Sequence, residues 1–333
     1  MSVDRRRARA AAVLGREPAP LGPVPGGDPA PGVVTGEIRD VSPHLLVVEN
    51  AEGDEIRLVV APWATAWCGS DMAPADVPRG ARAIIRTAGG HGRVADRIWV
   101  DISRFTGKIL KVRGTRDLTV DLDCGPHRGR RTIRIPYRAS GRIQVRHPRL
   151  EPGYLFDAIG TLGRGEPTAL LPAASQPAYR AEATPVPPLT DDGPASTHSS
   201  GPVSDPVSAP MYGAAPKISG SAVWSDVFDD DERGAAYPML ERADAECERA
   251  GTTCAPLPYL AMGSALAVDN VCTNRSAVVP IVACGCVAGR FCDRCVECGT
   301  SPRGRIVELS PASFVELGGE LTRGCFNARI VLG

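Results

Sequence analysis

Between Cys284 and Gly299 the chain reads CGCVAGRFCDRCVECG, five cysteines in sixteen residues with no histidine among them. Three chemistries use thiols at this density. As thiolates, Cys286, Cys292, Cys295 and Cys298 could hold zinc or an iron–sulfur cluster in a tetrahedral sulfur site. The fit is imperfect, because a zinc ribbon separates two CxxC knuckles and here three cysteines share one overlapping run. As a reactive centre, a thiol needs a neighbouring base or cation. The histidines, at positions 44, 91, 127, 147 and 198, all precede this region. As disulfide halves, the cluster would join Cys247, Cys254, Cys272 and Cys325, which stand apart at what read as element ends. Disulfides are the favoured reading for Cys247, Cys254, Cys272, Cys284, Cys286, Cys292, Cys295, Cys298 and Cys325. No cofactor is then expected, and zinc or iron–sulfur remains the alternative. Each bridge would contribute about 2–4 kcal/mol to a small domain, and the odd count leaves one thiol over.

The chain that must position these groups has 333 residues, enough for two or three domains with cores of their own. Its 38 basic and 38 acidic residues balance, so no global field favours nucleic acid or an anionic membrane. No apolar run is long enough to read as a membrane span. The opening MSVDRRRARAAAVLGREPAP is basic but lacks the apolar stretch of a secretory signal. A cysteine-dense module points to an oxidising surface, and the missing signal points to the cytoplasm.

Residues 1–32 read as a basic arm, with Arg5, Arg6, Arg7 and Arg9, followed by a Pro/Gly linker. From 33 to 174 short alternating apolar segments (HLLVVEN, EIRLVV, ARAIIRT, RIWVDI) are separated by Gly, Pro and Asp turns, the pattern of small all-β barrels. The pattern repeats. TGEIRDV at Thr35 matches TGKILKV at Thr106, IRLVVAPW at Ile56 runs like IRIPY at Ile133, and Gly80 and Gly153 keep nearly the same offset. Two copies of one barrel, over 33–104 and 105–174, follow. The strand order resembles oligonucleotide/oligosaccharide-binding (OB) barrels, which take single strands on a basic groove lined by exposed aromatics. Here Trp63, Trp67, Trp99, Tyr137 and Tyr154 form no compact basic–aromatic repeat, so the expectation is a docking role and no nucleic-acid partner. Residues 175–216, with eight prolines between Pro185 and Pro216 among Ser, Thr, Gly and Ala, have the composition of a flexible tether. The module at 217–333 is therefore expected to move relative to the barrels.

In that module GSALAVDN and SAVVPIV alternate as strands around a CTNR turn. SPASFVELGG opens with a Ser N-cap and a Pro at the first helical position, and ARIVL closes as a strand. Residues 218–333 resemble the six-stranded double-psi β-barrels of rare lipoprotein A, bacterial expansins and barwin-like proteins. The resemblance is carried by Gly220, Ala222 and Trp224, by Gly263, Leu266, Val268 and Asn270, by RSAVVPIV at 275–282, by GRIVELSPASF at 304–314, and by Gly324. Together with the strand pattern and composition of the preceding segments, it implies a mainly β chain: two tandem OB-like barrels, a Pro/Ser-rich linker and a double-psi barrel.

The resemblance also implies an open groove in which a carboxylate meets a polysaccharide, with Trp224, Asp226, Arg305 and Glu308 as the glycan-binding residues. In lytic members an aspartate acts as general acid on the glycosidic bond, often with a second carboxylate opposite. One family aspartate position holds Ala283 here, and the other holds Glu308. Asp226, Asp229, Asp230, Asp231 and Glu232 form an acidic loop that reads as solvated. Glycan binding without cleavage is expected. A module of this kind without a secretory signal fits a virion-associated or phage tail-tip protein, extracellular after lysis. Its N-terminal barrels would dock to other structural proteins and its last barrel would meet cell-wall polysaccharide, with no membrane partner and with homo-oligomerisation left open. The alternatives are a lytic transglycosylase using Glu308 and a cytoplasmic scaffold with a Cys-ligated metal.

Overall fold

The computed structural model describes residues 31–88, 92–125, 128–163, 165–173, 217–229, 231–241, 253–285 and 288–331. Most of the expected arm and linker, the whole of the expected tether, Cys247, Cys286 and Asp230 lie outside the described residues. The described chain is mainly β and folds as three barrels.

The first barrel contains β1 (Gly32–Val41), β2 (Leu45–Glu49), β3 (Glu55–Trp67), the short β4 (Asp71–Met72), β5 (Arg82–Ala88) and β6 (Val94–Val100). They pair in the order β2-β1-β5-β6-β3-β4, and a further β2–β3 pairing brings the sheet round on itself. Apolar side chains such as Ile38, Leu46, Val48, Leu58, Ile85 and Ile98 point inward. β3 is interrupted where Ala61 to Ala64 bulge from the β6 ladder, and Trp63 on that bulge is 68% exposed.

The second barrel contains β7 (Ile102–Arg113), β8 (Leu118–Asp123), β9 (Arg130–Ile135), β10 (Leu155–Thr161) and β11 (Thr168–Pro172), with helix α1 (Tyr137–Arg146) between β9 and β10. It closes in the order β10-β11-β9-β8-β7. The sequence repeat is thus a structural one: β7 to β11 pair as β1, β2, β3, β5 and β6 do, each set with one parallel pair, β9–β11 and β3–β6. The repeated TG has a packing reason. A Cβ at Gly107 would stand 2.6 Å from the carbonyl oxygen of Asp123, and one at Gly36 would collide with that of Glu49. Between the barrels lies only Asp101, in the left-handed region at φ 49°. Its carboxylate accepts from Arg82 N at 3.1 Å.

The third barrel contains β12 (Lys217–Trp224), β13 (Ala235–Tyr237), β14 (Ala265–Asn270), β15 (Arg275–Cys284), β16 (Arg305–Leu309) and β17 (Cys325–Val331), closed in the order β12-β16-β13-β15-β14-β17. Two pairs, β12–β16 and β13–β15, are parallel and the rest antiparallel. Helix α2 (Pro311–Glu316) begins where its sequence says it should: Ser310 Oγ accepts from Ser313 N at 3.2 Å. Three disulfides staple the barrel, Cys254–Cys292, Cys272–Cys298 and Cys295–Cys325. Cys284 is also disulfide-bonded.

The three barrels do not lie apart. One apolar cluster runs from Trp67, Ile84 and Trp99 of the first, through Phe105, Phe156 and Ile159 of the second, to Trp224, Phe314 and Phe326 of the third. Helix α2 packs on β1 and β5. Where the tether led us to expect a mobile module, the third barrel is seated against both others.

Candidate functional site

The four residues expected to bind glycan stand together, but at the junction between the second and third barrels and not in an open groove. Trp224 ends β12 and is fully buried, its indole Nε1 donating to Leu321 O at 2.9 Å. Arg305 and Glu308 share β16, which runs parallel to β12 with Ser221 opposite Arg305 and Val223 opposite Glu308. Asp226 follows β12 directly.

Arg305 is the centre of the junction. Its Nε and Nη2 donate to both carboxylate oxygens of Asp293, at 2.9 and 2.8 Å to Oδ2 and 3.2 Å to Oδ1. Nη2 also donates to Asp157 of β10, across the interface. The guanidinium lies on the ring of Phe291, its carbon 3.8 Å from the ring centre. Asp157 is held from its own barrel by Arg104, through Nε at 2.9 Å and Nη2 at 2.6 Å, and by Thr106 Oγ1 at 3.0 Å. Arg104 in turn reaches the third barrel with Nη1, donating to Trp224 O at 3.0 Å and Gly324 O at 2.6 Å. Two guanidiniums and two carboxylates, all fully buried, therefore balance across the interface.

The electrostatics follow. Burial alone would raise the Asp157 carboxyl, but the guanidiniums of Arg104 and Arg305 outweigh it and hold the group well below the usual carboxylate range. Burial would likewise lower Arg305, and Asp157 and Asp293 reverse that, holding it above its ordinary value. His147, whose Nε2 lies 2.8 Å from Asp157 O, is pushed down by burial.

Beside this quartet, Asp226 bridges the same two barrels. Its carboxylate meets Arg128 at 2.6 Å and Arg131 at 3.3 Å, and accepts from Ser103 Oγ at 2.7 Å. Glu308 is different. It is 7% exposed, its closest cation is Arg305 Nη1 at 3.9 Å, and that Nη1 makes no hydrogen bond. Burial raises the Glu308 carboxyl, with Arg305, Arg128 and Arg104 opposing. Ala283 and Glu308 flank the same residue of β13, since Ala236 pairs with both. The position across from Glu308 thus carries a methyl group and no second acid.

Of the cysteines, Cys292, Cys295 and Cys298 go to three different partners outside their run, so the CxxCxxC spacing serves three staples. Among the described residues no group of three or more His, Cys, Asp or Glu is placed to hold a metal ion. Cys68 and Cys124 are free, and burial raises both thiols.

Sequence reasoning missed Arg104, Asp157, Asp293 and Arg128. Asp157 had a readable signal: a carboxylate in the apolar run YLFDAIG, where a charge needs a buried partner. Two further features face solvent. A cleft of about 670 Å³ between the first and second barrels is lined by Cys68, Arg116, Asp117, Arg134, Tyr137 and Leu170, among others. On the third barrel Tyr259 is 57% exposed, and its neighbours are anchored: Pro258 O accepts from Tyr237 Oη at 3.1 Å, and Leu260 N donates to Met239 O at 3.1 Å.

In comparison with known proteins, no family model, no curated protein and no solved structure matches this chain.

Proposed function

We propose that this chain is a structural, particle-associated protein that binds cell-wall glycan and does not cleave it. The observation that carries this reading is that Asp157 of the second barrel occupies Arg305, and that Glu308 is buried beside that pair. A general acid must reach the glycosidic oxygen, and a cleaving pair needs a second carboxylate across the bond. Glu308 has neither the access nor the partner.

The β12–β16 and β13–β15 parallel pairs within a six-stranded closed barrel support the double-psi reading, and the matched strand orders of the first two barrels support the OB-like pair. Staples in the third barrel favour work outside a reducing compartment. With the charged face occupied, glycan contact falls to the exposed, anchored Tyr259, whose ring offers a flat apolar face to a sugar. The first two barrels are then the docking body towards other structural proteins.

The full chain, incubated with purified cell walls and pelleted, is expected to sediment with them, and Tyr259→Ala to reduce the bound fraction several-fold. Sedimentation no greater than that of a control protein overturns the glycan reading. One observation favours a second reading, a lytic transglycosylase: the Glu308 carboxyl is raised, as a general acid's must be. That reading requires soluble muropeptides that vanish in Glu308→Gln.

A further inference from the structure

We propose that the junction between the second and third barrels is a latch set by thiol oxidation: closed when Cys254–Cys292 and Cys295–Cys325 are formed, and open when they are reduced. The inference does not depend on the glycan reading.

Asp293 supplies half of the hydrogen-bonded negative charge on Arg305 and Arg104, yet it sits in the stretch between β15 and β16, which among its described residues holds a 3-10 turn at Ala288–Arg290 and isolated bridges at Arg294, Glu297 and Gly299. Asp293 itself belongs to no strand. Two bridges flank it, since Cys292 precedes it and Cys295 follows two residues on. Among the described residues, Gly304 N donates to Asp293 O at 3.0 Å and Ser301 closes on Cys295. The second half of the latch is stapled as well. Cys325 follows Gly324, whose carbonyl takes the 2.6 Å bond from Arg104, and Cys295–Cys325 ties that carbonyl to the Asp293 segment. The two bridges thus flank two groups of the junction, the carboxylate that backs Arg305 and one of the two carbonyls that accept from Arg104.

When a dithiol reduces each bridge, the S–S bond breaks and two thiols form, while the dithiol gives up two electrons and two protons and leaves as a disulfide. Asp293 is then free to swing away. Arg305 and Arg104 would be left buried with Asp157 as their one hydrogen-bonded carboxylate, Glu308 standing 3.9 Å from Arg305, and the interface opens to water to solvate them. Neither barrel needs to unfold, because each is closed by its own ladder. The latch would leave the chain open in a reducing cytosol and lock it after release into an oxidising medium.

The test is hydrogen exchange on the full chain, oxidised and then treated with dithiothreitol, with far-UV circular dichroism in parallel. On reduction, peptides covering Asp157, Trp224 and Gly324 are expected to exchange roughly tenfold or more faster, while the strand signal and the protection of β2, β3 and β8 persist. The paired variant Cys295→Ser/Cys325→Ser should open without reductant. Cys272→Ser/Cys298→Ser, which removes the staple at the β14–β15 turn, should stay closed. Unchanged junction exchange in the reduced protein overturns the proposal. So does equal opening in the two paired variants, or a loss of strand signal with faster exchange in every barrel. Pelleting with cell walls reads the glycan question separately, so failure of one does not mimic failure of the other.

Discussion

Replacing Asp157 by asparagine keeps the shape of the side chain and removes one charge from the buried quartet. The junction then holds Arg104 and Arg305 against Asp293 as the one hydrogen-bonded carboxylate, with Glu308 3.9 Å from Arg305 and all of these groups buried. Breaking a buried pair in this way costs about 3–5 kcal/mol. At about 2 °C per kcal/mol for a large domain, the thermal midpoint should fall by roughly 6–10 °C. The loss should also depend on pH with a definite sign. The folded Asp157 carboxyl lies below its unfolded value, so its stabilisation is complete above the unfolded value of about 3.9 and disappears as pH falls through the folded one. Wild type and variant should therefore converge in acid. Calorimetry across pH, with a cycle adding Arg104→Met, is the assay, and the coupling between the two sites should be about 1–3 kcal/mol. A Asp157→Asn protein within about 1 kcal/mol of wild type, or strict additivity in the cycle, would refute the claim that these charges meet in a closed interface.

Glu308→Gln should be neutral or stabilising near neutral pH. The Glu308 carboxyl is raised in the folded state, so the penalty on the charged form exists above the folded value and vanishes below the unfolded value of about 4.3; a pH series of thermal midpoints checks this. Peptide mapping of the non-reduced protein should recover Cys254–Cys292, Cys272–Cys298 and Cys295–Cys325, with Cys68 and Cys124 labelled by a thiol reagent after denaturation. Recovery of Cys292, Cys295 and Cys298 as thiols with stoichiometric zinc or iron would contradict it. Glu320→Ala should cost about 1–3 kcal/mol in urea denaturation, because Glu320 Oε1 accepts from the fully buried indole of Trp99 at 2.8 Å and from Arg97 Nε at 3.3 Å, joining the first barrel to the third.

Much of this architecture was legible in the residues. The repeated TG, the alternating apolar strands and the Ser310–Pro311 helix start each carry a local physical reason, and each lies where that reason puts it. The scatter of Cys254, Cys272 and Cys325 around a dense run read as staples, and these three do close on that run. What local pattern could not supply was the packing of one barrel on another. Arg305 and Glu308 read as groove residues through the double-psi resemblance, and neither that resemblance nor a strand's own sequence says what covers a face. The covering groups, Asp157 and Arg104, lie 148 residues away from Arg305 in one case, and they come from a segment whose own repeat explained them as barrel residues. Proline-rich composition between 175 and 216 argued for a moving module. Composition of a link says nothing of the affinity of the surfaces it joins, and here those surfaces are matched in charge.

The central claim is that this protein holds wall glycan without cutting it. Purified cell walls incubated with the oxidised full chain give both readouts in one tube: protein in the pellet and saccharide fragments in the supernatant. The account predicts protein in the pellet and no soluble fragments above a protein-free control, for wild type and Glu308→Gln alike. Muropeptides released by wild type and absent with Glu308→Gln would contradict it.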